Sequence, residues 1–217
     1  MIEIIPTVVP NSLSEINEVS ERYSSFASFF HIDAADGIFA PNTTWLPSEG
    51  DRLPKDYSYE VHLMVSDPHA VGLAFAKAGA HTLIGHIEAF GNAKKAKRAF
   101  EEWKNEGAHK VGVGMLLQTP LEEIEPYLPF VDFVLFMTIA RIGVQGIPFD
   151  ERGIARIAEF RSTHPNVALA VDGGVSEENI ADLVRAGATR FGVGSAISKS
   201  ADPSGAYARL RKCAEGV

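Results

Sequence analysis

The sequence is poor in cysteine and in positive charge, and each shortage excludes a class of protein. The only cysteine is Cys213, so no disulfide can form within the chain, and the predicted location is a reducing cytoplasm. The 20 Lys and Arg residues stand against 28 Asp and Glu, which gives a net charge of −8 without a long basic run. This balance argues against nucleic acid or an anionic membrane as the main partner.

Long hydrophobic runs and a leader-like start are also missing. The longest apolar runs fall far short of the roughly 20 residues that a membrane-spanning helix needs. Residues 1–6 include no basic region and no small-residue cleavage site, so we expect no signal peptide. No Gly-x-Gly-x-x-Gly follows the first predicted strand, which argues against a dinucleotide-binding fold.

The chain does contain a regular alternation of short apolar runs and longer amphipathic runs. The apolar runs predict eight strands, at Ile2–Val9, Phe26–Asp33, Tyr57–Met64, Thr82–His86, Lys110–Met115, Phe130–Thr138, Val167–Asp172 and Arg190–Gly194. The amphipathic runs predict helices at Ser12–Tyr23, Pro68–Ala78, Asn92–Glu106, Pro120–Tyr127, Asp150–Thr163, Glu177–Ala186 and Pro203–Ala214. Residues 37–55 are rich in Pro, Thr and Asn and predict a loop.

This alternation predicts the fold class. Strands that alternate with helices pair in parallel through right-handed crossovers, and eight such units favour a closed (β/α)8 TIM barrel over an open sheet. The 217 residues, 46% of them hydrophobic, suit one domain over 1–217, slightly shorter than the roughly 250 residues typical of this barrel. We therefore expect the active site at the carboxyl ends of the strands.

Two histidines and two aspartates stand at predicted strand ends. His31 and Asp33 share one face of the second strand because side chains alternate, while His62 lies in the last four residues of the third strand and Asp172 ends the seventh. Taken singly, a histidine at a strand end is more often structural, and Asp before Gly-Gly is common in turns. Taken together, they predict a site for zinc, iron(II), manganese or cobalt, because a divalent cation would compensate two buried carboxylates.

The chain resembles the ribulose-phosphate 3-epimerase family. The segment from His31 to Asn42 is similar to that family's H-x-D-x-x-D-G-x-F-x-P-N signature, and Val61–Val65 is similar to its H-L-M-V segment. Further matches, in the family's order, are His86–Ala89, Met137–Thr138, Val171–Val175 and Gly194–Ile197.

The resemblance implies a metal-dependent 3-epimerase of a ketose phosphate, either ribulose 5-phosphate to xylulose 5-phosphate or a related pentulose or hexulose phosphate. His31, Asp33, His62 and Asp172 would hold one divalent metal ion. Asp33 and Asp172 would also be the catalytic pair, one removing the carbon-3 proton and the other returning a proton to the opposite face of an enediolate. The family also implies a homo-oligomer.

The resemblance also implies which residues contact the sugar phosphate. The substrate-binding positions would be Thr7, His62, Met64, Met137, Gly143, Gly146, Gly173, Gly174, Gly194 and Ser195. Backbone N–H groups of the last four would meet the phosphate, although such glycines also occur simply as turn residues. We expect His86 and Glu88 to support the site, and Asp36 to shape its loop.

The sequence departs from the family at four places. Thr7 replaces a serine, Ala35 a methionine, and Leu116-Leu117 an Asn-Pro pair. The family's N-P-G-F-G-G-Q segment is Ala140–Gly146 here, in which only Gly143, Gln145 and Gly146 match. Arg141 in this segment is a candidate phosphate or anion contact, because guanidinium binds such groups bidentately; a solvated loop arginine is the alternative.

Two other functions stay open at this stage. Related barrel lyases carry a D-x-K-x-x-D arrangement, whereas Asp33–Asp36 contains no lysine. The altered segment after the sixth strand also leaves open a non-catalytic sugar-phosphate-binding barrel. In every case the expected partner is a small sugar phosphate.

Overall fold

The computed structural model describes residues 2–143 and 146–217, and these form a closed barrel of eight parallel strands. The strands pair in chain order, and β1 closes the barrel on β8. Their bounds are β1 Glu3–Val8, β2 Phe29–Ala35, β3 Ser58–Met64, β4 Thr82–His86, β5 Lys110–Met115, β6 Phe133–Met137, β7 Leu169–Asp172 and β8 Arg190–Val193. The predicted TIM barrel is thus confirmed.

Helices lie between most of the strands and cover the barrel. They are α1 Leu13–Tyr23, α2 Pro68–Ala78, α3 Ile87–Phe90, α4 Ala93–Asn105, α5 Arg152–Thr163, α6 Ile180–Arg185, α7 Ser195–Ser198 and α8 Pro203–Glu215. As expected, no helix connects β2 to β3 within this described part of the chain. No helix among the described residues is long and apolar enough to span a membrane.

Three local predictions need correction. The predicted helix Pro120–Tyr127 is a 3₁₀ segment, Leu121–Phe130, because Pro126 and Pro129 cannot donate the backbone hydrogen bonds of an α-helix. The second strand runs past Asp33 to Ala35, since it pairs with β3 up to Met64. The short helices α3 and α7 were not predicted, because four residues are too few to show a helical period.

Local capping explains where two of the helices begin and end. The Ser12 side chain accepts a hydrogen bond from the Glu15 backbone N–H at 3.2 Å, which caps α1. The Glu15 carboxylate in turn accepts from the backbone N–H of Asn11 at 2.7 Å. Helix α2 ends at Gly79, whose φ of +99° is accessible to glycine at little cost.

The barrel interior contains a buried ion pair as well as apolar side chains. Glu60 on β3 and Arg190 on β8 are both buried, and Arg190 Nη2 lies 2.5 Å from Glu60 Oε2. Arg190 also pairs with Glu3 on β1, and its guanidinium lies over the Phe133 ring. Because a buried charge is costly unless it is paired, this network holds Glu60 as a carboxylate inside the barrel.

Candidate active site

The strand register brings the four predicted metal ligands to one end of the barrel. Asp33 pairs with His62 across β2 and β3, and His31 pairs with Thr7 across β1 and β2. Asp172 is the last residue of β7 and pairs with Met137. Since strand ends in a parallel barrel share one face, residues distant in sequence meet there.

The four side chains form one compact cluster. Nδ1 of His62 lies 3.3 Å from Asp33 Oδ1 and 3.3 Å from Asp172 Oδ2. Nε2 of His31 lies 3.3 Å from the same Asp33 oxygen. One ligand atom from each of the four residues falls within 4.8 Å of the others. The predicted convergence of two imidazoles and two carboxylates is therefore observed.

The electrostatics of the cluster favour positive charge between its carboxylates. Complete burial lowers the pKa of His31, but the carboxylates of Asp33 and Glu60 outweigh it and raise that pKa well above its usual value. Burial also lowers the pKa of His62, but Asp172 and Asp33 outweigh it and raise that pKa. Burial raises the pKa of Asp33, yet the two imidazoles lower it well below its usual range.

The donor set fits a divalent cation. His31 is fully buried, and its Nε2 has no hydrogen-bond partner among the described residues. A buried ring nitrogen left without a partner is costly unless a ligand completes it. Two imidazole nitrogens and two carboxylate oxygens are ligands that zinc, iron(II), manganese and cobalt accept. The site can thus hold a divalent metal, with no feature that selects one of them.

A carboxylate stands behind each histidine of the cluster. His31 Nδ1 lies 2.6 Å from Oε1 of Glu60, whose other oxygen binds Arg190. On the other side, His62 Nε2 lies 2.7 Å from Nε2 of His86, and His86 Nδ1 lies 3.3 Å from Glu88 Oε2. Both imidazoles are therefore oriented by residues outside the cluster, as metal-binding histidines commonly are.

A pocket opens above the two aspartates, and most predicted substrate-binding residues line it. Those in its wall are Thr7, Asp33, Met64, Met137, Gly143, Gly146, Asp172, Gly173, Gly174, Gly194 and Ser195. His31 and His62 are fully buried and do not line the pocket themselves; they contact Asp33 and Asp172, which do. Arg141 is exposed and is not among the lining residues, and Gln145 falls outside the described residues.

The sequence interpretation missed several residues of this pocket wall. They are Val9, Asn42, Ile139, Ile147, Val175 and Gly192. The close packing of β8 against Asp172 explains why residue 192 is a glycine, since a Cβ there would come within 3.1 Å of Asp172 Oδ1. Ile139 forms an antiparallel bridge with Phe149, which closes the base of the segment after β6. A bridge between two single residues leaves no periodic signal in the sequence.

The turn after β7, which follows Asp172 directly, packs against Phe149 in the segment after β6. Gly173 and Gly174 have φ of +110° and +69°, and a Cβ on Gly174 would lie 2.9 Å from the backbone of Phe149. Only glycine combines this conformation with this close approach. The paired glycines therefore have a structural function in addition to any contact with a ligand.

Comparisons with known proteins identify the family. A sequence model described as "Ribulose-phosphate 3 epimerase family" matches residues 3–198, most of the chain. The chain belongs to this family. Ribulose-phosphate 3-epimerase of Bacillus subtilis (strain 168) is 32% identical to it over 219 residues, covering 97% of this chain and 99% of that protein. The protein of the same name from Aquifex aeolicus (strain VF5) is 36% identical over 182 residues, covering 81% and 80%.

Membership of the epimerase family makes this chain an isomerase that acts as a carbohydrate epimerase. A solved structure of 3-hexulose-6-phosphate synthase from Salmonella typhimurium superposes with a TM-score of 0.72 and covers 99% of this chain and 99% of that one. Because the two sequences are only 16% identical, this likeness shows the shared barrel alone. The cytoplasmic location and the homo-oligomeric state stay predictions.

Proposed function

We propose that this protein interconverts ribulose 5-phosphate and xylulose 5-phosphate, or a closely related pair of ketose phosphates, as a metal-dependent 3-epimerase in pentose phosphate metabolism. The observation that carries the proposal is the position of the two aspartates. Both carboxylates reach one nitrogen of His62 at 3.3 Å, and both line the same pocket. The names of the relatives supply the substrate.

The cluster of His31, Asp33, His62 and Asp172 would hold the metal. A divalent cation bound there would supply Lewis-acid stabilisation of the negative charge that develops on the substrate oxygens. His31 would contribute Nε2, which faces Asp33, and His62 would contribute Nδ1, which faces both Asp33 and Asp172. The other nitrogen of each ring is already engaged outside the cluster.

Asp33 and Asp172 would carry the protons. They sit on β2 and β7, two strands that are not neighbours in the barrel, and each lies 3.3 Å from His62 Nδ1. One carboxylate takes the proton from carbon 3 and leaves the enediolate, and the other carboxyl group gives a proton to the opposite face of that carbon. One proton leaves and one arrives, so the product is an isomer with inverted configuration at carbon 3.

The pocket provides distinct surroundings for the sugar. Met64 and Met137 give it an apolar wall beside the aspartates. The hydroxyl of Thr7 also lines the pocket, is buried, and lacks a hydrogen-bond partner among the residues described. A buried hydroxyl in that condition suits a hydroxyl group of the substrate. Thr7 therefore provides the hydroxyl function of the serine found in the family.

The phosphate would bind at the glycine-rich end of the pocket. Gly173, Gly174, Gly194 and Ser195 lie there. The N–H groups of Ser195 and Ala196 begin α7, ahead of the two N–H groups, of Ile197 and Ser198, that donate to the Gly194 carbonyl. Gly143 and Gly146 contribute from the segment after β6. A positive charge stands next to them, because a Cβ on Gly146 would lie 3.8 Å from Lys199 Nζ.

An isotope-exchange assay tests the proposed reaction. The metal-loaded protein is incubated with ribulose 5-phosphate, and separately with a panel of pentulose and hexulose phosphates, in deuterated water. We expect deuterium at carbon 3 together with formation of the epimer. Metal binding without exchange on any substrate would instead indicate a non-catalytic binding protein, and carbon–carbon cleavage would indicate a lyase.

A further inference from the structure

The contacts behind His62 form a chain of three side chains that ends in a carboxylate. We infer that Glu88, acting through His86, fixes the proton of His62 on Nε2 and so keeps Nδ1 free to bind a metal. Glu88 and His86 are thus positioning residues rather than catalytic residues. The inference rests on the proposed metal site. It concerns which atom donates in two hydrogen bonds, the one between Glu88 and His86 and the one between His86 and His62, whose ring nitrogens lie 2.7 Å apart.

Glu88 starts this chain because it can only accept hydrogen bonds. Its Oε1 accepts from the backbone N–H of Leu116 at 2.8 Å and from the hydroxyl of Thr119. Its Oε2 faces Nδ1 of His86 at 3.3 Å. Two donors converging on one oxygen suit an ionised carboxylate, which offers only lone pairs.

The carboxylate then determines the tautomer of His86. A lone pair on Nδ1 would face the negative charge of Glu88, so the proton of a neutral His86 ring belongs on Nδ1. Nε2 of His86 is left as an acceptor. It lies 2.7 Å from Nε2 of His62, and two ring nitrogens at that distance need one proton between them. That proton must come from His62.

The result at His62 is a free lone pair on the nitrogen that faces both aspartates. With Nε2 protonated toward His86, Nδ1 of His62 becomes the ligand atom, 3.3 Å from Asp33 and from Asp172. His31 also keeps one nitrogen unprotonated, but here it is Nε2: Glu60 lies 2.6 Å from Nδ1, so the proton of the ring belongs on Nδ1 and Nε2 is free. Two different carboxylates therefore prepare the two imidazoles.

Nuclear magnetic resonance of the wild-type protein tests the proton positions without any substitution. The uniformly ¹⁵N-labelled protein is loaded with zinc, and long-range ¹H–¹⁵N correlations distinguish protonated from unprotonated ring nitrogens. We expect a protonated Nε2 on His62, a protonated Nδ1 on His86 and an unprotonated Nε2 on His86. A proton on Nε2 of His86 would overturn the inference, whatever the activity of the enzyme.

Substitution of Glu88 tests the consequence for metal binding. In Glu88→Gln the new amide can donate to Nδ1 of His86, which would move the His86 proton to Nε2 and force the His62 proton onto Nδ1. We expect zinc affinity, measured by competition with a chelating dye, to fall by about 10- to 100-fold. His86→Leu removes the acceptor altogether, and we expect it to lower the affinity as well.

Glu102→Gln is the matched control, because Glu102 lies 2.7 Å from His69 Nε2 on the surface and belongs to no site described above. Its zinc affinity should equal that of the wild type. Thermal unfolding of each metal-free variant reports whether the barrel is intact. Wild-type zinc affinity in folded Glu88→Gln would overturn the inference while leaving the proposed epimerase standing. A wild-type protein that binds no zinc, manganese or cobalt would overturn both.

Discussion

Asp33 and His62 are cross-strand neighbours whose side chains remain in contact, with His62 Nδ1 3.3 Å from Asp33 Oδ1. The same nitrogen lies 3.3 Å from Asp172, which comes from the seventh strand. One buried imidazole thus holds a carboxylate from either side of the barrel. This relationship places both proposed proton carriers in one pocket.

The first prediction concerns those two carboxylates. Asp33→Asn and Asp172→Asn each remove one proton carrier, so kcat for epimerisation should fall by about 10²- to 10⁴-fold, the usual contribution of a positioned acid or base. The measurement is turnover of ribulose 5-phosphate coupled to detection of xylulose 5-phosphate. Asp182→Asn is the control, because Asp182 pairs with Arg185 on the exposed surface of α6.

Isotope exchange separates the two roles of the aspartates in the same variants. In a two-acid mechanism the loss of one acid slows inversion at carbon 3 more than it slows exchange of the substrate proton, because a single remaining base can still exchange that proton. Either variant that keeps wild-type kcat would remove its aspartate from the reaction. If Asp182→Asn lost activity to the same degree, the loss in the other variants would reflect folding and not chemistry.

The second prediction concerns metal binding and stability. A cation that binds only the folded protein, at a free concentration of about 100 times Kd, stabilises it by about 2.7 kcal/mol. For a domain of this size, that raises Tm by roughly 5–10 °C. We expect this shift when zinc, manganese or cobalt is added to the metal-free protein, measured by circular dichroism, and we expect a chelator to reverse it.

His31→Gln should abolish that shift, because it removes the buried ring nitrogen that has no partner among the described residues. His69→Gln is the comparison, since His69 sits at the surface beside Glu102. Equal metal-induced shifts in the two variants would mean that the metal binds elsewhere. No shift in the wild type would count against a metal site in the cluster.

The sequence could predict the cluster because its signals are local. His31 and Asp33 are two residues apart on a strand, so alternation alone puts them on one face. His62 and Asp172 stand at the ends of recognisable apolar runs, and parallel strand ends share one face of a barrel. The family resemblance also gave the pocket glycines, and all five of them line the pocket: Gly143, Gly146, Gly173, Gly174 and Gly194.

The contacts that the sequence could not predict are those that depend on the register between strands. The 2.7 Å contact between His62 and His86 joins two strands, and nothing in either segment records their relative shift. Glu60 and Arg190 were also not anticipated inside the barrel, because each reads as an ordinary surface charge until the other is placed beside it. The tertiary pairing, not the local pattern, decides their burial.

The third prediction concerns acid stability and rests on Asp36, which shapes the loop after β2 as expected. Its carboxylate accepts hydrogen bonds from Ile38, Phe39 and Ser66. Burial raises the pKa of Asp36, but these hydrogen bonds outweigh it and lower the pKa to about 2. A lowered folded-state pKa stabilises the protein above the unfolded value, near 4, and that stabilisation is lost as the pH falls toward 2.

Comparison with Asp36→Asn isolates this contribution. At pH 6 the variant should unfold with about 1–2 kcal/mol less free energy, because a charge-assisted acceptor has been weakened. The difference between wild type and variant, measured by urea unfolding, should shrink between pH 4 and pH 2. A difference that stays constant over that interval would show that the Asp36 carboxylate is not responsible.

The last prediction concerns Lys199, the cation beside the proposed phosphate site. Lys199 directly follows α7, and its Nζ would lie 3.8 Å from a Cβ on Gly146 in the pocket wall. Lys199→Met should therefore raise KM for the sugar phosphate roughly fivefold, the equivalent of about 1 kcal/mol for an exposed ion pair, with kcat little changed. The effect should weaken at high ionic strength, since salt screens exposed charges.

Arg141→Ala and Lys212→Met complete this comparison. Lys212 lies exposed in α8 and lines no part of the pocket, so its variant should keep the wild-type KM. Arg141 is the cation proposed from the sequence; like Lys199 it is exposed and does not line the pocket, but only Lys199 has its charged group beside Gly146. A raised KM for Arg141→Ala with an unchanged KM for Lys199→Met would assign anion recognition to Arg141 and contradict the prediction for Lys199.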